Sequence, residues 1–422
     1  MRGFICLLCL GLLLGPLAPR TAWANGGNSH MWISLEALET LPEGSLRDLL
    51  TDPDHEMILL NGSVFPDGGY VVQDDYGETA HWEPFVSGYI RFIRRTYDPP
   101  YDRGDAAQHV VFLMGIASHD IADMTYDSLF MKVARVEDAS GWSEELLDGF
   151  DSATDVFLVA DTGFDVSLEP WAPTQELAQV FSEEVGYEVA PAVISDGQDF
   201  LQLTTQYGHD KGLNDPSRVA ELRARYPWSS AHLLDPLYAG SPPTEALVVA
   251  AYWQALWDRL HGVENPENEI LATRPAAGST GHATDHTRPE SQIAVVFGYE
   301  MEPDTLTLTV TDAQGGEHAV TLHEWGNLVR LVPEADWPAD TELTVTVAGG
   351  VTSIDGVVFP EDWSFSFHTA PGAAMVCCSD PTPNTSDPAP SGDGGGCSTA
   401  SDPGGGGLAL LLLAWMLVRR RR

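Results

Sequence analysis

Phe112-Leu113-Met114-Gly115-Ile116-Ala117-Ser118-His119-Asp120-Ile121-Ala122-Asp123-Met124-Thr125-Tyr126-Asp127-Ser128-Leu129 is the stretch from which the rest of the chain is read. It enters apolar and turns polar on one face, which predicts a helix. His119, Asp123 and Asp127 stand at i, i+4 and i+8. At 3.6 residues per turn, these side chains stack on one face. An imidazole and a carboxylate one turn apart can hold a divalent cation, and a carboxylate one turn further on can hold a second. A solvated acidic face is the competing reading, and this stretch alone leaves the two level.

Composition narrows the partners. The 422 residues suggest two or three domains. Net charge is -41, from 62 acidic and 21 basic residues, and the only lysines are Lys132 and Lys211. Such a surface repels a polyanionic backbone, so no nucleic-acid partner is expected. The five cysteines, Cys6, Cys9, Cys377, Cys378 and Cys397, lie outside the stretches that read as folded. Any zinc site must therefore use His, Asp and Glu.

Residues 1–24 read as a secretory signal: Arg2, an apolar run from Phe4 to Leu14, and Ala22-Trp23-Ala24 as a small-x-small cleavage site. Cleavage there puts a new α-amine near Asn25, five residues before His30. His30 follows the capping candidates Asn28 and Ser29 and opens a helical pattern through Ile33, Ala37 and Leu38. A turn is expected at Phe65-Pro66-Asp67-Gly68-Gly69. His81 comes just before Pro84, which suits a first helical turn, and Phe85, Tyr89, Ile90 and Ile93 continue that helix.

Three separated motifs now agree in order and spacing. They are Asn61-Gly62-Ser63-Val64-Phe65-Pro66-Asp67, Ala80-His81-Trp82-Glu83-Pro84-Phe85, and Phe112 to His119 with Ala122-Asp123. Together they resemble the zinc-dependent phospholipase C/D family, most of all the catalytic domain of glycosylphosphatidylinositol-specific phospholipase D, from about Ser29 to about Gly262. The resemblance implies an all-α domain holding up to three zinc ions. By it, Asp67, His81, His119 and Asp123 match one complete site, and His30 the ligand near the chain start. The sequence then departs from the family. Tyr126-Asp127-Ser128-Leu129 stands where relatives have Trp-His-Ser-Leu. Asp151-Ser152-Ala153-Thr154-Asp155 stands where they have His-x-x-x-Asp or His-x-x-x-Glu. Asp127, Asp151 and Asp155 would make an all-carboxylate position, harder in character and less selective for zinc; for Asp151 a helix N-cap competes with the ligand reading.

Beyond Asp155, Leu177 to Val185 and Glu245 to Leu260 read as helices. Residues 25–272 are the expected helical domain. Residues 273–291, small and polar, read as a linker. From 292 to 370 the period changes to two: Leu306, Leu308 and Val310, then Leu343, Val345 and Val347, then Trp363, Phe365 and Phe367. Short alternating strands with Gly315-Gly316 and Gly349-Gly350 turns predict a β-sandwich, similar to bacterial Ig-like domains. Residues 371–403 read as a disordered Pro/Gly/Ser linker. Residues 404–422 form an apolar run closed by Arg419 to Arg422, an anchor segment resembling myxobacterial C-terminal sorting tails.

The expected fold is thus an all-α phospholipase-like domain followed by an all-β Ig-like sandwich. The expected protein is exported and held at the cell surface or outer membrane, with export and C-terminal sorting machinery as partners, or released to the medium. Its expected activity is zinc-dependent hydrolysis of phospholipid or glycolipid phosphodiesters at a membrane surface, with Asp67, His81, His119 and Asp123 around a metal-activated water. Two rivals stand: a secreted nuclease-like phosphodiesterase, and a non-catalytic surface module with a decayed metal site.

Overall fold

Helix formation follows the apolar spacing through the first half of the chain. The structure, a computed structural model, describes residues 25–139, 150–211, 215–263 and 270–372. The expected signal at 1–24, the tail at 404–422 and nearly all of 371–403 lie outside the described residues. The helices are α1 (Gly27–Thr40), α2 (Ser45–Leu50), α3 (Glu56–Val72), α4 (Tyr76–Ala80), α5 (Glu83–Thr96), α6 (Gly104–Thr125) and α7 (Met131–Glu137). They continue with α8 (Phe150–Thr162), α9 (Thr174–Val180), α10 (Pro191–Lys211), α11 (Pro216–Arg225), α12 (Pro227–His232) and α13 (Pro242–His261). No described helix is long and apolar enough to cross a membrane.

Helix α6 is buried nearly all round from Val110 to Ala122, which makes it the centre of the bundle. It packs on α3, α5 and α13. The expected turn at Phe65-Pro66-Asp67-Gly68-Gly69 is instead part of α3. Its glycines serve close packing rather than chain reversal. A Cβ on Gly69 would fall 2.1 Å from the Gly77 amide nitrogen, and one on Gly62 would fall 2.4 Å from the Phe112 carbonyl oxygen. Glycine composition alone does not distinguish a turn from a backbone-to-backbone contact.

The sandwich has two four-stranded antiparallel sheets. Its strands are β1 (Ile270–Arg274), β2 (Ile293–Phe297), β3 (Leu308–Asp312), β4 (Glu317–His318), β5 (Val320–Trp325), β6 (Leu328–Pro333), β7 (Glu342–Val347) and β8 (Trp363–His368). One sheet runs β1-β2-β6-β5 and the other β4-β3-β7-β8. The alternation read in the sequence is the register observed: Val345 opposes both Val310 and Phe365, and Leu343 opposes Phe367.

The expected linker at 273–291 is a correction. Thr273 and Arg274 pair with Val295 and Ala294 as the end of β1. His282 is buried and its backbone N–H donates to the His368 carbonyl. Small polar residues give no side-chain period, yet their backbone groups satisfy the sandwich margin.

The two halves also share a core. Along β2, Ile293, Val295 and Phe297 enter the sandwich core, while Ala294 and Val296 join the helical core with Leu328. Every β2 residue is buried, because the strand has protein on both faces. Glu83 of α5 accepts hydrogen bonds from Tyr252 and Arg259 of α13 and from Asn327 between β5 and β6. Arg259 also donates to the Gly298 carbonyl and lies 3.9 Å over the Tyr299 ring.

Candidate metal centre

Four helical elements bring the expected ligands together. His30 sits in the first turn of α1, Asp67 in α3, His81 just after α4, and His119 and Asp123 one turn apart in α6. His119 Nε2 is 2.9 Å from His81 Nε2, 3.3 Å from Asp123 Oδ2 and 4.0 Å from Asp67 Oδ1. His81 Nε2 is 3.9 Å from both Asp67 Oδ1 and Asp123 Oδ2. The other carboxylate oxygen of Asp123 is 3.2 Å from His30 Nε2. The His30 and His119 rings stack with centroids 3.7 Å apart. Among the described residues, two buried or nearly buried trios have ligand atoms within 4.8 Å of one another: Asp67/His81/His119 and His30/His119/Asp123.

Backbone carbonyls orient the imidazoles. His81 Nδ1–H donates to the Gly77 carbonyl at 2.6 Å, and His119 Nδ1–H donates to the Ser63 carbonyl at 2.8 Å. A carbonyl only accepts, so both Nδ1 atoms carry the proton and both Nε2 lone pairs face inward. Burial, then the neighbouring His119, lowers the His81 pKa to about 3. Burial raises Asp67 to about 7. For Asp123 burial also acts upward, but His30 and His119 outweigh it and hold the carboxyl well below the usual range. Converging lone pairs and carboxylates taken out of water are a donor set that fits zinc, whose charge offsets the desolvation.

Among the described residues, Asp127 and Asp155 belong to neither of these trios. Asp155 accepts from Ser29 N–H at 2.8 Å, Ser29 Oγ at 3.0 Å and Asn28 Nδ2 at 2.7 Å. It does from α8 what an N-cap side chain does locally, tying down the first turn of α1 and with it His30. A Cβ on Gly26 would fall 2.4 Å from Asp155 Cγ, so glycine is required there. Asp127 stands outside both trios, on a π-helical turn, Tyr126–Phe130, that widens the helix after Asp123. The Asp151 side chain lies outside the described residues.

The sequence of this half resembles known proteins. The sequence profile described as zinc dependent phospholipase C matches residues 29–126. The helical domain is homologous to phosphatidylinositol-glycan-specific phospholipase D. The Bos taurus protein of that name is 30% identical over 212 residues, 46% of this chain and 25% of its own length. The Homo sapiens protein is 28% identical over 215 residues, 47% of this chain and 25% of its own. The chain spans about a quarter of the length of these curated relatives. A bacterial Ig-like domain profile matches residues 264–369, which includes β1 and the segment expected as a linker. CopC from Methylosinus trichosporium OB3b aligns with 25% of this chain and 96% of its own at 16% identity, but a TM-score of 0.21 carries no argument.

Near the centre, Glu245 gave no signal in the sequence, and Asn25 was marked only as the start of the cleaved chain. Glu245 of α13 is fully buried, has one oxygen without a hydrogen-bond partner, and accepts from Asn25 Nδ2 at 3.3 Å through the other. Burial, then Asp123, pushes its carboxyl well above the usual range. Asn25, whose backbone N–H donates to Asp123 Oδ1 at 3.2 Å, links the two. An acidic residue in a first helical turn reads as an ordinary dipole partner, and only the tertiary fold carries Glu245 to the metal centre.

Proposed function

We propose that this chain is an exported, surface-retained, zinc-dependent phosphodiesterase acting on phospholipid or glycolipid phosphodiesters. The supporting observation is the inward convergence of His81 Nε2 and His119 Nε2 with the carboxylates of Asp67 and Asp123. These four side chains would hold one zinc ion. His30 and the Oδ1 oxygen of Asp123 would hold a neighbouring cation, the single Nε2 lone pair of His119 serving the first ion. Bound there, zinc supplies Lewis acidity toward water and phosphoryl oxygens. The Gly77 and Ser63 carbonyls keep the donor nitrogens aimed, and Asp155 keeps the His30 turn in place. Cationic charge at the centre offsets a surface that otherwise repels an anionic substrate. Export and retention rest on the signal at 1–24 and the segment at 404–422.

The test is elemental analysis of the dialysed protein, paired with turnover of phosphatidylcholine, phosphatidylinositol, a glycosylphosphatidylinositol and single-stranded DNA. Bound zinc with hydrolysis of at least one lipid is expected. A zinc-free, inactive protein would favour the non-catalytic module, and cleavage of DNA alone would favour the nuclease. Fractionation should place the protein in the envelope, and deletion of residues 394–422 should release it. Intact protein in the cytoplasm would defeat the export reading.

A further inference from the structure

The Ig-like half reaches the metal centre through one hairpin. Strands β5 and β6 are joined by Gly326 and Asn327, a two-residue turn with glycine in the left-handed region at φ 56°. Its tip is pressed between α6 and the start of α5. A Cβ on Gly326 would fall 2.5 Å from Met124 Sδ, and the Asn327 backbone N–H points at the same sulfur at 3.3 Å. Asn327 is fully buried, and its Nδ2 contacts Glu83 Oε2 at 3.5 Å and the Phe297 carbonyl at 3.3 Å. On the turn's other side, the Trp325 ring lies 6.1 Å from that of Trp82. Met124 follows the ligand Asp123 in the chain. Trp82 and Glu83 follow the ligand His81. Three consecutive sandwich residues therefore touch the residues immediately beyond two metal ligands that come from different elements.

We propose that the Gly326–Asn327 turn is a positioning element of the metal centre, setting the spacing between the Asp123 and His81 ligands. The inference rests on the zinc reading of the previous section and adds a role for the sandwich. A rigid hairpin anchored in its own sheet gives a fixed reference against which both ligand-bearing segments are pressed. Groups that orient ligands without touching the metal typically change its affinity about tenfold to a hundredfold when altered. A sandwich that merely adds stability would influence zinc only in proportion to the stability it adds.

The test compares Gly326→Ala and Asn327→Ala with Gly315→Ala in the whole protein. Gly315 also has positive φ, at 80°, but nothing lies within 4 Å of a Cβ placed there. Its substitution strains a sandwich turn without touching a helix. The readouts are the rate of zinc transfer to a chelator, thermal stability, and the separate KM and kcat of lipid turnover. Zinc loss about tenfold faster is expected for Gly326→Ala and Asn327→Ala, with wild-type zinc retention in Gly315→Ala despite its lowered stability. Adding Met124→Ala to Gly326→Ala should slow zinc loss again by making room for the new methyl group. Zinc retention that follows thermal stability alike in all variants, or no rescue by Met124→Ala, overturns the proposal while leaving the zinc reading intact. A wild-type protein without zinc overturns both.

Discussion

His81 Nε2 and His119 Nε2 face each other at 2.9 Å while both Nδ1 protons are committed to backbone carbonyls. Two inward lone pairs at that distance repel unless a cation lies between them. His119 belongs to both ligand trios, whereas His30 belongs to one. His119→Ala should therefore remove the tightly held zinc and lower lipid turnover by more than about a hundredfold. His30→Ala should keep the first zinc and lose a more readily exchanged second metal. Elemental analysis after dialysis checks this. Equal zinc loss from both variants would show that the centre does not divide in this way.

Asp155 gives a sharper discrimination, because the family resemblance and the observed geometry assign it different work. As a cap, it is needed for hydrogen-bond acceptance rather than for charge. Asp155→Asn keeps an oxygen for Ser29 and gives up the bond from Asn28, costing about 1 kcal/mol. Its zinc content should match the wild type. Asp155→Ala leaves the buried Ser29 N–H without its acceptor and should cost about 1–3 kcal/mol. Denaturant unfolding and elemental analysis together decide. Zinc loss in Asp155→Asn at near-wild-type stability would make Asp155 a ligand after all.

Much of this centre was legible in the sequence, because metal ligation needs particular side chains at helical spacing. The i, i+4 pair His119 and Asp123 meets as the period requires, and the strands around Val345 and Phe365 follow their alternation. What escaped depends on contacts made across the fold. Gly68 and Gly69 looked like turn formers, but in the fold their helix packs closely on Gly197 and Gly77. Asp155 reads as a ligand from its residue type alone, and its contact with the amide of Ser29, made across the fold by α8, left no mark in the sequence. Residues 273–291 looked like a linker because their order is held by backbone hydrogen bonds, which leave no mark on side-chain pattern.

The buried imidazole of His282 predicts acid sensitivity of the sandwich margin. Its Nε2 lies 3.0 Å from the Ser291 carbonyl oxygen, and burial, outweighing that contact, lowers its pKa to about 4. The unfolded chain takes up a proton near pH 6.5, which the folded protein refuses until about pH 4. Stability from this group is thus complete above about pH 6.5 and is lost as pH falls toward 4, with an upper limit of about 3 kcal/mol. His282→Gln should flatten that part of the stability profile. Stability measured at steps from pH 7 to pH 4 in both proteins checks it, and parallel profiles would exclude His282 as the origin.

The Glu83–Arg259 pair predicts that the helices and the sandwich unfold together. Both side chains are largely buried, and the pair is tied to Tyr252 on the helical side and to Asn327 and the Gly298 carbonyl on the sandwich side. Removing one partner leaves an uncompensated charge away from water, so Arg259→Met should cost about 3–5 kcal/mol. Glu83→Gln with Arg259→Met should cost less than the sum of the two single changes, because the double variant buries no orphan charge. Since β2 fills both cores, that loss should lower one shared transition rather than split it. Denaturant unfolding followed by helical circular dichroism, and by hydrogen exchange of the β3 and β7 amides, reads the two halves separately. Coincident midpoints that move together in Arg259→Met are expected. Two transitions, with only one displaced by the substitution, would mean that residues 25–272 stand alone and that the shared core adds little to either half.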